Sequence, residues 1–167
     1  MSVLKLNQIQ TASGVIMANL NSSGANVGIQ LASNLAPAFY AYQSASAQSL
    51  TGGISSKVTF DAELFDTNNN FASSTFTPTV AGYYSLTAAV MVASSNQEIA
   101  VFIRKNGTGV LTGVDNITGN YNSLATGIQY ANGTTDYFDI YCYVSTTRSV
   151  SNVASNTYFT GALIRSA

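Results

Sequence analysis

The sequence predicts an all-β jelly-roll sandwich, and three observations carry that prediction. Apolar residues recur with a period of two in many short runs, and no stretch holds the helical period. Turn chemistry separates the runs, at Asp66-Thr-Asn-Asn-Asn, at Lys105-Asn-Gly and at Asn132-Gly133. Asn, Ser and Thr fill the outward positions, a composition that suits strands and turns better than helices. Roughly eight to ten short strands divided in this way make a sandwich or jelly roll.

Residues 1–35 differ in texture from the rest. Leu4, Leu6 and Ile9 give a short apolar beginning, which Gly14 interrupts. Residues 19–34 are rich in Asn, Ser, Gly and Ala, with weak alternation at Val27, Ile29 and Leu31. Such a segment cannot bury a core alone. It is expected to be an arm for attachment or oligomerisation, with Leu4, Leu6 and Ile9 as its docking residues.

The jelly roll is expected over residues 36–167. Its first strand is Pro37-Ala-Phe-Tyr-Ala-Tyr and its second is Lys57-Val-Thr-Phe-Asp. An extended segment at 71–80 follows, with Phe76, Pro78 and Val80 on one face. Pro78 has no amide hydrogen to donate, so this segment should lie at an edge or break its ladder there. Gly82 is expected to permit a tight reversal. A long strand at 83–93 then carries Tyr84, Leu86, Ala88, Val90 and Val92 inward. Ile99, Val101 and Ile103 alternate with Ala100, Phe102 and Arg104 up to the Lys105-Asn-Gly turn. Residues 108–120 read as loop with a short strand, and 121–131 as a strand. In the strongest strand, 137–144, Phe138, Ile140, Cys142 and Val144 share one face, while Tyr137, Asp139, Tyr141 and Tyr143 share the other. Tyr158-Phe-Thr-Gly-Ala-Leu-Ile closes the domain.

Only 8% of the 167 residues are charged, against about 25% in ordinary soluble domains. Neutral polar groups could keep such a surface soluble. The preferred reading is that much of it meets other subunits, because obligate interfaces are depleted of charge at their centres. A net charge of −1 and the lack of any Lys/Arg run exclude a nucleic-acid footprint. The single cysteine, Cys142, rules out a disulfide framework and a cysteine metal cluster. The opening Met-Ser-Val-Leu-Lys-Leu lacks the apolar core of a signal peptide, and no window reaches membrane-spanning length. Synthesis in a cytosol without Sec-type export, and no membrane insertion, are the expectations.

The chain has no histidine, so imidazole chemistry is absent. Its seven acids are dispersed, and only Asp61 with Glu63 could share a strand face as a glycosidase pair. Solvated strand ends are the preferred reading of that pair. Cys142 alternates with apolar residues and reads as an inert core thiol. The Asp66-Thr-Asn-Asn-Asn cluster supplies oxygens for a calcium ion but lacks EF-hand spacing, and a polar turn is preferred. No catalytic residue, metal or cofactor is expected. The face of Tyr137, Tyr141 and Tyr143 presents large amphipathic rings outside the core, which usually meet protein or sugar. A neighbouring subunit is its first expected partner and a glycan its second.

The combination of Phe76, Gly82, Tyr84 and Leu86 with Pro37 to Phe39, Val58 to Asp61, the Lys105-Asn-Gly turn and a closing Phe159, Gly161 and Ile164 resembles the complement-C1q-like domain, a relative of tumour necrosis factor. Pro78 and Leu163 are displaced from that pattern, and the Asn132 to Phe138 turn carries extra residues. The resemblance implies a domain that works as a homotrimer and binds without catalysing. The lead-in Leu-Lys-Leu-Asn-Gln-Ile-Gln-Thr-Ala-Ser-Gly, residues 4–14, resembles that of small structural and fibre proteins of tailed bacteriophages, cyanophages among them. Together these imply a virion structural protein assembled in the host cytoplasm. It would attach by its arm to other capsid or tail proteins, as a capsid decoration or short fibre. A fibre-tip head that recognises a host receptor or glycan is the alternative.

Overall fold

The computed structural model describes residues 8–10, 16–19, 36–45, 47–92, 97–117 and 121–167. The chain divides into two compact units, Met1–Leu35 and Ala36–Ala167. In the first, β1 (Gln8–Gln10) and β2 (Ile16–Asn19) pair antiparallel with a bulge after Ile9, which stands opposite Ala18. Leu4 and Leu6 lie outside the described residues.

The second unit opens with β3 (Ala38–Tyr42), β4 (Ser49–Leu50), β5 (Ser55–Lys57) and β6 (Ala62–Asp66). The short β7 (Phe71–Ala72) and β8 (Thr75–Phe76) precede three long strands, β9 (Gly82–Val92), β10 (Gln97–Lys105) and β11 (Thr108–Ile117). Then come β12 (Tyr121–Ala131), β13 (Phe138–Val144), β14 (Arg148–Ser149) and β15 (Tyr158–Ser166). No helix occurs among the described residues. One sheet has five strands in the order β12-β9-β15-β3-β6. The other has six, ordered β11-β10-β13-β8-β7, with β5 also paired to β13. β14 and β4 form a separate pair.

Alternation places one set of side chains from each sheet between the two layers. Phe39 of β3 stacks on Phe76 of β8 with ring centroids 4.2 Å apart, and Tyr84 of β9 meets Phe76 edge-on at 5.5 Å. Leu86, Val90, Ile99, Val101, Ile103, Phe138, Ile140, Val144 and Phe159 complete a fully buried core. Burying each such side chain contributes about 1.5–3 kcal/mol. The hydroxyl of Tyr84, carried inside with its ring, donates to Val80 O at 2.6 Å. Desolvation pushes its pKa up to about 12.

Four local readings are corrected by the structure. The strand expected from Lys57 to Asp61 ends at Lys57, because the chain there crosses between sheets. Val58 N still donates to Ile140 O of β13, Phe60 N turns to the Ser74 hydroxyl, and Asp61 N reaches Tyr42 O of β3. The extended segment at 71–80 folds instead into the β7–β8 hairpin, with Ser73 and Ser74 both at positive φ (50° and 58°), and the strand stops before Pro78. Gly82 makes no reversal: it opens β9, where a Cβ would stand 2.4 Å from Arg165 O of β15. Its lack of a side chain serves close approach between strands. Residues 108–117, expected mainly as loop, form β11, paired along β10 from Lys105↔Thr108 to Gln97↔Ile117.

Candidate functional site

Two outward surfaces stand out, one on each sheet. On the six-stranded sheet, register sets Phe102 opposite Tyr141, Arg104 opposite Asp139, and Tyr143 between Ala100 and Ser55. All of these belong to the outward parity. Tyr137, Tyr141 and Tyr143 are half-buried, and the structure brings all three near Arg104. The guanidinium of Arg104 lies 4.0 Å from the centre of the Tyr141 ring. Its Nε donates to Gly107 O at 2.8 Å and its Nη2 donates to the same oxygen. A Cβ on Gly107 would lie 3.9 Å from the Tyr137 hydroxyl and 3.6 Å from Arg104 Nη2. An open trough of about 420 Å³ runs beside these groups, lined by Ser55, Phe102, Arg104, Gly107, Gly109 and Tyr143.

The turn supplying Gly107 is built from sequence-local chemistry. Asn106 and Gly107 both take positive φ, 52° and 82°, which Asn and Gly tolerate best. Asn106 Nδ2 donates to Asp136 Oδ1 at 2.7 Å, and Tyr137 N donates to Asn106 Oδ1 at 2.9 Å. Asp136 Oδ2 accepts from Lys105 Nζ at 2.8 Å and from Asn132 N at 2.9 Å. The hydrogen bond from Lys105, then that from Asn106, holds the Asp136 carboxyl below its usual range.

On the five-stranded sheet three adjacent rows of the outward face carry apolar, aromatic and small hydroxyl side chains. Register lines up Leu124, Ala89, Tyr158 and Tyr42 in one row, Thr126, Thr87, Thr160, Tyr40 and Phe65 in the next, and Ile128, Ser85, Ala162 and Ala38 in a third. None of these residues is charged. Ile128 is 59% exposed and Leu124 47%. Tyr40 and Tyr158 stack at 5.2 Å, and burial, with Tyr158 beside it, raises the Tyr40 pKa. The threonine hydroxyls are satisfied inside the sheet. Those of Thr87 and Thr126 bond each other at 2.8 Å, and Thr160 donates to Phe39 O at 2.7 Å. The row therefore has little unmet demand for water.

The other candidates are structural. Asp61 precedes β6, outside the strand that carries Glu63. Its carboxylate accepts from Ser44 N at 2.7 Å and Ala45 N at 2.9 Å, bonds that lower its pKa. A general acid needs the opposite shift. Asp66 closes its own turn, accepting from Asn68 N and, at 2.7 Å, from Phe71 N, while Asn70 bonds Thr79. Cys142 is fully buried, and desolvation pushes its thiol up to about 12. Among the described residues, no group of three or more Cys, Asp or Glu could hold a metal ion. Sequence reasoning passed over Arg104 and Phe102 as functional residues. Their signal was an outward parity shared with the tyrosines across the sheet, visible only once β10 and β13 are paired.

No family model matches the chain, and no curated protein does. Solved structures do. Murine APRIL at pH 5.0 superposes with a TM-score of 0.63 at 8% identity, covering 77% of this chain and 99% of that one. The globular domain of zebrafish complement 1qA gives 0.59 at 17% identity, covering 78% and 99%. Eiger TNF from S. frugiperda gives 0.61 at 8% identity, covering 80% and 94%. The fold is a jelly roll of the tumour-necrosis-factor and C1q type.

Proposed function

We propose that the chain is a non-enzymatic structural protein of a virus particle. It works as a homotrimer and is attached by residues 1–35 as a capsid decoration or short fibre. One observation carries the self-association: three contiguous rows without charge on the outward face of the five-stranded sheet, with Leu124, Ile128, Tyr40 and Tyr158 across them. Exposed apolar area of that kind marks an interaction surface, and charge depletion marks an obligate one. The trimeric state follows the C1q-like resemblance of residues 36–167, and the virion setting follows the phage-like lead-in at 4–14. Self-association is assigned to this sheet in preference to Tyr137, Tyr141 and Tyr143, because Tyr141 already packs under Arg104.

Sedimentation equilibrium of the full chain at micromolar concentration should return three times the monomer mass. Ile128→Lys should shift the distribution towards monomer, since an unpaired charge buried in an interface is strongly unfavourable, and Tyr141→Glu should leave it unchanged. A monomeric parent protein would overturn the reading. Disruption by Tyr141→Glu alone would move the interface to the tyrosine face. A second reading, a recognition head for a host-surface glycan, is favoured by the trough beside Arg104.

A further inference from the structure

Among the described residues Arg104 has no ion pair. Its register partner is Asp139, yet the guanidinium turns from that carboxylate to Gly107 O and the Tyr141 ring. Asp139 is almost enclosed and lies 3.9 Å from Lys57 Nζ, which also donates to Thr75 Oγ1 at 2.7 Å. Among the described residues Asp139 has its ion pair with Lys57 and not with Arg104, and its buried Oδ1 accepts no hydrogen bond. Three constraints hold the guanidinium in place: two hydrogen bonds to one carbonyl and a ring beneath it. Its Nη1 has no partner among the described residues. A preorganised planar fork with an open edge matches a carboxylate, which can take two parallel N–H bonds.

The rest of the trough is amphipathic. Phe102 and Tyr143 are half-buried rings on its walls, Ser55 adds an exposed hydroxyl, and a Cβ on Gly109 would meet nothing within 4 Å. Aromatic walls suit the C–H faces of a pyranose, while hydroxyls suit its rim. The volume of about 420 Å³ lies within the range of small-ligand sites. A single cation is too few for a nucleic-acid backbone, which needs several.

We propose that this trough binds one carboxylated sugar residue of an acidic polysaccharide. The sugar carboxylate pairs with the open edge of Arg104, its ring packs against Tyr143 and Phe102, and Ser55 meets a hydroxyl. The assignment rests on the recognition reading and names its ligand class. It is independent of the trimer, because every residue comes from one domain.

The test is an array of oligoglucuronates, oligogalacturonates and sialyl-oligosaccharides, each printed beside its carboxyl-reduced counterpart and probed with the full chain. The expected result is binding to at least one acidic probe, weakened about tenfold or more on carboxyl reduction and by Arg104→Gln, as loss of a charge-assisted pair implies. Tyr143→Ala should weaken it similarly. Tyr143→Ala leaves the Gly107 turn intact, so it remains informative if Arg104→Gln fails to fold. Equal binding of the reduced probes, lost in Tyr143→Ala, would overturn the acidic-sugar proposal and leave a glycan head standing. Binding that survives both trough substitutions would place the site elsewhere. No binding to any probe would overturn the proposal and the recognition reading together.

Discussion

Asp136 is the side chain on which the Lys105-Asn106-Gly107 turn depends. It ties Lys105, Asn106 and Asn132 together, and those partners lower its pKa in the folded state. A depressed carboxylate pKa contributes stability that is fully present above the unfolded value, about 4, and is lost as pH falls through the folded value. Asp136→Asn should therefore cost about 1–2 kcal/mol at pH 7, from weaker hydrogen bonds to the two neighbours and the lost charge of the Lys105 pair. Parent and variant should converge as pH drops below about 4. Urea denaturation at pH 7 and pH 3 checks this, and a gap that stays constant across that window would remove Asp136 from the account.

Strand β9 lies between β12 and β15 along its length, so a defect at its first residue is felt by both neighbours. Gly82 has Arg165 O 2.4 Å and Leu163 Cδ1 2.7 Å from the position of a Cβ. The nearer obstacle is backbone, which cannot rotate away. Gly82→Ala should destabilise the domain by about 1–3 kcal/mol, the usual cost of overpacking. Gly109→Ala, on β11 with open space around its Cβ position, should be near neutral. Thermal melts of both variants decide it, and equal melting temperatures would contradict the close-approach role.

At the scale of the whole molecule, residues 36–167 hold a continuous core of their own. A chain beginning at Ala36 should therefore fold cooperatively, with a melting temperature within a few degrees of the parent protein. If the proposed virion role holds, the same truncation abolishes incorporation into particles that lack the native copy. Decoration that persists without residues 1–35 would place the anchor on the jelly roll. A truncated chain that failed to fold would give the arm a structural role in the domain.

The sequence by itself determined the fold class, most strand positions and the composition of the core. These follow from local rules: period-two alternation at 83–93, 99–104 and 137–144, and positive-φ turn residues at Asn106-Gly107 and Gly133. It also excluded imidazole chemistry, because composition needs no folding to be read. It missed β11 because Gly109 and Gly113 dilute that strand's pattern, and β11 is held instead by pairing along β10. It misread Gly82 because a glycine needed for close approach looks, in one dimension, like a glycine needed for a turn. Only the tertiary structure decided which outward faces matter. Parity names the exposed residues of each strand, but strand order and register decide whether they become adjacent uncharged rows or a trough around Arg104. Those pairings join residues as distant as Phe39 and Gly161, and no local pattern encodes such a partner.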